Sequence, residues 1–115
     1  KFPVIIDMED ADGYKRKYGM PSNDVLVSIC EKECLMFEEA GYYAAIYASK
    51  SWFDTKLNSS RLNRFDKWIA WWNKGASFDK NIYGIWQYTS SGSVNGISGN
   101  VDMNEAYKEL VDILP

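Results

Sequence analysis

Two short apolar runs flank one long amphipathic stretch in the first half of the chain, and this constrains the fold more than any other feature. Residues 2–7 read Phe-Pro-Val-Ile-Ile-Asp. A continuous β-branched run of this kind predicts a strand buried on both faces, as in a parallel sheet. Ser22 or Asn23 can cap a helix running to about Ala40. Its apolar side carries Leu26, Ile29, Cys30, Phe37 and Ala40, with Glu31, Lys32, Glu38 and Glu39 largely opposite. Gly41 stops the helix, and residues 42–48 read as the next strand. Parallel neighbours need a connection long enough to hold a helix, so strand, helix, strand with short joints predicts a parallel crossover unit.

The rest of the chain reads differently. Residues 10–21 carry Asp, Gly and Pro and predict a loop with at most a short turn of helix. Residues 51–58 suit a short helix, and residues 68–72 and 85–89 are apolar strand candidates. Residues 90–100 form a turn-rich loop, Val101 and Asp102 a last short strand. Residues 104–114 show a helical pattern at Ala106, Tyr107, Leu110, Val111 and Leu114. Five strand candidates with few helices after the midpoint leave a parallel sheet poorly covered. The expected class is therefore α/β, as an irregular barrel or part of one.

Composition narrows the chemistry. At 115 residues there is room for one domain. With no histidine, Ser-His-Asp and Cys-His catalysis and His-ligated metal sites are excluded. Two cysteines cannot form a four-cysteine zinc site, and Cys30 and Cys34 fit small buried hydrophobes on one helix face rather than a disulfide. Thirteen basic against 16 acidic residues argue against a nucleic-acid partner; Lys15-Arg16-Lys17 is too short and isolated to change that. No apolar run approaches the ~20 residues of a membrane span. Lys1 leads straight into an apolar strand without the layout of a signal peptide, so none is expected in this chain.

Three groups could carry chemistry. In Asp7-Met8-Glu9, alternation along a strand puts both carboxylates on one face, ~6.6 Å apart at Cα from a rise of ~3.3 Å per residue. They follow an apolar run, and in parallel α/β folds that end of the strand carries the site. Two close carboxyls can differ in environment, so that one stays protonated as an acid. The competing reading is a strand running out into a solvated acidic loop, which Asp10 and Asp12 favour. Asp102, with Asn104 two residues on, is either a further site carboxylate or ordinary turn and N-cap chemistry. The aromatic set Tyr47, Trp52, Trp68, Trp71, Trp72, Trp86 and Tyr88 suits either sugar-stacking platforms or core filling. Trp86 and Tyr88 share one face of their strand and Gln87 takes the other; one of these faces would point into a barrel. The remaining charged residues read as solvated faces.

In order along the chain, Ile-Asp-Met-Glu (6–9), Ala-Ile-Tyr (45–47), Trp-Ile-Ala (68–70), Trp-Gln-Tyr-Thr-Ser (86–90) and Gly-Ile-Ser-Gly-Asn-Val-Asp-Met-Asn (96–104) resemble glycoside hydrolase family 25, the N-acetylmuramidases of the Chalaropsis type. The resemblance runs from Val4 to Asn104, and its last motif is the most specific. It implies a modified, helix-poor β/α barrel of eight strands, of which this chain carries strands 4 to 8. The family's first-strand Asp motif has no counterpart here, so residues 1–115 are expected to form a single incomplete catalytic domain without strands 1 to 3. A complete barrel of this kind needs ~200 residues or more. Trp72 also stands where the family often has Tyr.

The activity implied is hydrolysis of the β-1,4 bond between N-acetylmuramic acid and N-acetylglucosamine in bacterial peptidoglycan, outside the cell, at its wall, or by a phage enzyme. Glu9 matches the general acid. Asp7 matches an assisting carboxylate, orienting the 2-acetamido group or acting as base for a water. Asp102 matches a supporting carboxylate across the barrel mouth. Tyr47, Trp68, Trp86, Gln87, Tyr88 and Asn104 match substrate-contacting positions. No metal or cofactor is implied. A second chain or swapped copy is the expected partner if the open strand edges are to be paired, and the competing class is a catalytically incomplete fragment that binds wall sugar. A chitinase-like Asp-x-x-Asp-x-Asp-x-Glu run is not matched, because Phe2 and Ile5 stand at its first two Asp positions.

Overall fold

The computed structural model describes residues 2–109. Its elements are β1 (Val4–Asp7), α1 (Tyr14–Tyr18), α2 (Asn23–Glu39), β2 (Ala44–Ser49), α3 (Lys50–Asp54), a 3-10 turn (Ser60–Leu62), β3 (Asp66–Ala70), β4 (Tyr83–Gly92) and β5 (Val101–Ala106). All five strands lie in one sheet in the order β1-β2-β3-β4-β5. The pairs β1–β2, β2–β3 and β3–β4 are parallel, and β4–β5 is antiparallel.

The crossover unit forms as its pattern predicts. The hydroxyl of Ser22 accepts from the Val25 N–H at 3.2 Å, satisfying one of the free donors at the start of α2. Gly41 adopts φ of +90°, the left-handed turn that releases the chain towards β2. Leu26, Val27, Cys30 and Cys34 are the buried residues of α2. Ile29 was expected on that face, but it is exposed along with Val25 and Met36. The buried stripe is centred on positions 26, 30 and 34, four residues apart, and Ile29 falls on its margin.

The two faces of the sheet serve different ends. Ile6, Ile46, Ala48 and Ile69 pack with α2, Phe53, Leu57, Leu62 and Phe65 into a single core. The opposite face carries Ile5, Asp7, Tyr47, Trp68 and Gln87, which line a cleft instead. No helix follows Leu62 among the described residues, so cover is concentrated on the β1–β3 half.

Three expectations need correction. Residues 104–106 are strand, not helix: Asn104 pairs with Gln87, Glu105 with Trp86 and Ala106 with Ile85. The free edge of β4 supplies backbone partners that outweigh a weak helical periodicity. The Tyr107 N–H extends this ladder to Gly84 O at 2.9 Å; Leu110, Val111 and Leu114 lie outside the described residues. The apolar run 68–72 begins its strand earlier, at Asp66, and ends at Ala70, after which Trp72 turns out to 61% exposure. Finally, Asp66 and Lys67 are buried rather than solvated. Asp66 accepts from the Tyr43 hydroxyl at 2.7 Å, the Gly84 N–H at 3.0 Å and Lys108 Nζ at 3.0 Å. Lys67 Nζ donates to Leu62 O at 3.0 Å, and burial lowers the pKa of its ammonium. A buried charge survives only with such partners.

Candidate active site

Sheet register assembles the site. Asp7 pairs with Tyr47, and Tyr47 pairs with Trp68. In-register residues of parallel neighbours project to the same face, so these three side chains form a row across β1, β2 and β3. Gln87 and Asn104 continue it across β4 and β5 as an antiparallel pair. The Met8 N–H donates to Tyr47 O at 3.0 Å, which carries the β1 ladder one residue past the strand. Met8 is buried at 6% exposure, and so Asp7 and Glu9 on either side of it share the opposite face.

Asp7, Glu9, Tyr47, Trp68, Gln87, Asp102 and Asn104 thus line one cleft of about 350 Å³. Seven of the nine positions singled out in the sequence meet here. Asp102 reaches it from β5 and is not the N-cap of a helix. Trp86 and Tyr88 do not line this cleft. With Trp72 they line a separate one of about 550 Å³ on the other side of β4, and Trp86 is also packed against the core. Strand alternation put Gln87 apart from its neighbours, but which face points inward was a matter of tertiary position. Ile5, also in the lining, was missed because a strand residue among other apolars carries no site signal.

Hydrogen bonds fix the aromatic walls. Gln87 Oε1 accepts from the Tyr47 hydroxyl at 3.2 Å and from Trp72 Nε1 at 3.0 Å. Trp68 Nε1 donates to Asn104 Oδ1 at 2.8 Å. The Tyr47 and Trp68 rings meet edge to face, with centroids 5.3 Å apart at 77°. Trp72 therefore stands between the two clefts, its indole nitrogen bonded into the first and its ring lining the second.

Glu9 has a raised pKa, chiefly through burial, then through the charge of Asp7 and a hydrogen bond with it; Lys15 opposes this. Burial and the nearby Glu9 carboxylate also raise the Tyr47 phenol. A carboxyl held towards its protonated form beside a second carboxylate is the arrangement of an acid with a charged helper. No group of three or more His, Cys, Asp or Glu side chains able to hold a metal occurs among the described residues.

A sequence model for glycosyl hydrolases family 25 matches residues 1–97. The chain belongs to this family. Asp102 and Asn104 lie beyond the matched stretch. Lysozyme M1 of Streptomyces globisporus is 25% identical over 108 residues, covering 90% of this chain and 37% of that protein. The modular autolysin LytC of Streptococcus pneumoniae, solved with a synthetic peptidoglycan ligand, aligns at 26% identity and a TM-score of 0.75 over 90% of this chain and 25% of its own. A family 25 glycosyl hydrolase of Bacillus anthracis shares the fold at 21% identity and a TM-score of 0.63, covering 93% of this chain and 50% of its own. The chain thus spans a quarter to a half of the lengths of these relatives. Among family 25 folds its five-stranded, helix-poor sheet is one part of an α/β barrel.

Proposed function

We propose that this chain carries the catalytic face of a lysozyme acting on the bacterial wall, cleaving the β-1,4 bond from N-acetylmuramic acid to N-acetylglucosamine. The observation that carries this reading is the placement of Asp7 and Glu9 side by side in one aromatic-walled cleft, with Glu9 the carboxyl disposed to keep its proton. Glu9 donates that proton to the leaving glycosidic oxygen. Asp7 orients the 2-acetamido group of the substrate and balances the charge that develops on it. Asp102 supports from β5. Tyr47 and Trp68 offer sugar-sized apolar surfaces with polar edges, and Gln87 and Asn104 hold those edges in place. Trp86 and Tyr88, with Trp72, take a sugar further along the same glycan.

Mass spectrometry of purified peptidoglycan treated with the chain tests this. New reducing-end N-acetylmuramic acid is expected, and none with Glu9→Gln, which should still bind glycan. Release at the same rate by the variant would remove Glu9 from its role.

One observation favours a second reading, a sugar-binding portion that acts only when completed. Among the described residues, strands β1 and β5 each have an unpaired edge in the sheet order, and Asp7 is exposed beside the β1 edge. Such edges pair readily with another strand. Activity that rises steeply with protein concentration, together with a dimer in sedimentation, would select this reading over a self-sufficient monomer.

A further inference from the structure

A further cleft of about 400 Å³ also borders Glu9, lined among others by Asp10, Arg16, Met20, Trp52 and Lys56. Glu9 is common to this cleft and to the carboxylate cleft. Met20 and Trp52 pack against the core and give it an apolar floor.

Its charge is set by which groups are already engaged. Asp10 has a carboxylate only 6% exposed, which accepts from the Lys15 N–H at 2.7 Å and the Arg16 N–H at 3.3 Å. That anion is thus largely committed to the backbone of α1. Lys56 Nζ stands 5.5 Å from the centroid of the Trp52 ring and makes no ion pair among the described residues. Arg16 Nε stands 3.4 Å from Asp10 Oδ2, and its side chain is 74% exposed. The terminal nitrogens of its guanidinium remain free to grip a carboxylate in the two-pronged manner. Two available cations over an apolar floor, on a chain whose net charge is -3, are complementary to an anionic, partly apolar ligand.

We infer that this cleft receives the acidic peptide carried on N-acetylmuramic acid, with Arg16 and Lys56 holding its carboxylates and Trp52 and Met20 its alkyl groups. This rests on the muramidase reading above. It goes beyond that reading, because the chain would then recognise the peptide as well as the sugar. The position fits, since a muramic acid residue reacting at Glu9 has its peptide beside Glu9, and of the other two clefts that Glu9 borders this one carries two cations, whereas the one of about 280 Å³ lined by Asp7, Asp12 and Lys15 carries one.

Calorimetric titration of the 115-residue chain with three disaccharides of N-acetylglucosamine and N-acetylmuramic acid tests this. One is bare, one carries the peptide, and one carries the peptide with its carboxylates amidated. The free-acid peptide is expected to tighten binding about tenfold, the scale of one charge-assisted contact. Amidation should abolish the gain, and added salt should shrink it, because exposed charges are screened. Arg16→Gln with Lys56→Gln should remove the gain and leave binding of the bare disaccharide unchanged.

If the bare sugar binds and the peptide adds nothing, the inference is overturned while the muramidase reading stands. It is equally overturned if the gain survives amidation or the paired substitution, or if a glycerol phosphate oligomer displaces the peptide-bearing sugar at equal concentration. If none of the three compounds binds, both readings fall together.

Discussion

Trp68 and Asn104 are 36 residues apart in sequence and joined by a 2.8 Å hydrogen bond from the indole nitrogen to the amide oxygen. This bond spans from β3 to β5 and fixes one aromatic wall of the cleft against its polar floor. Asn104→Leu removes the acceptor and should free the ring. Since an exposed neutral hydrogen bond contributes about 0.5–1.5 kcal/mol, glycan affinity should fall several-fold with little change in thermal midpoint. Tryptophan fluorescence titration against soluble glycan measures this, and unaltered affinity would show that the ring is held by packing alone.

Glu9 predicts an acid whose behaviour depends on Asp7. Burial raises its pKa most, and the adjacent Asp7 charge adds to this. Asp7→Asn takes away that charge, so the pKa of Glu9 should fall and the basic limb of the pH–rate profile should move to lower pH. A limb that stays in place after this substitution would detach the two carboxyls from one another.

The same raised pKa has a consequence for stability. Below the ordinary value of 4.5 both folded and unfolded chains keep the proton, and the stabilising contribution of Glu9 is complete. As pH rises through the folded value this contribution is lost, because the folded chain must then ionise a disfavoured group. Glu9→Gln should therefore raise the thermal midpoint at pH 7, with the gap closing in acid. Melting curves at both pH values decide it; a variant less stable than its parent at pH 7 would contradict it.

Gly84 and Asp66 predict a steric limit. A Cβ on Gly84 would fall 2.5 Å from Asp66 Oδ2, the carboxylate that also receives the Gly84 N–H. Gly84→Ala should cost about 1–3 kcal/mol through overpacking and loss of that bond. Urea denaturation reads this as a lower midpoint, and an unshifted midpoint would mean that the carboxylate relocates freely.

Cys30 and Cys34 are fully buried free thiols, pushed up to about 11 and about 12, principally by burial. Thiolate is the reactive form, so neither should react with a disulfide reagent at pH 8 in the folded chain. Both should react at once in denaturant. Fast labelling of the native protein would place α2 away from the sheet.

Much of the architecture was legible because it rests on local chemistry. The apolar runs, the Ser22 cap and the Gly41 stop specify the strand–helix–strand unit within a few residues of themselves. Period-two alternation placed Asp7 with Glu9, and Gln87 opposite Trp86 and Tyr88, before any neighbour was considered. Buried charge was not legible in that way. Asp66 and Lys67 resemble surface residues in sequence, and only the convergence of Tyr43, Gly84, Lys108 and Leu62 O makes their burial tolerable.

By itself, then, the sequence determined the strand–helix–strand unit of the first half, the shared face of Asp7 and Glu9, the separation of Gln87 from Trp86 and Tyr88, and the family to which the chain belongs. Tertiary structure alone decided which sheet face became a cleft, because that depends on where α2 lays its buried stripe. It also turned residues 104–106 from a weak helical pattern into a strand, since the open edge of β4 offered a complete set of backbone partners. By the same means it brought Asn104 to Trp68 and put Tyr47 and Trp68 in one cleft and Trp72, Trp86 and Tyr88 in another, relationships that arise only when distant strands meet.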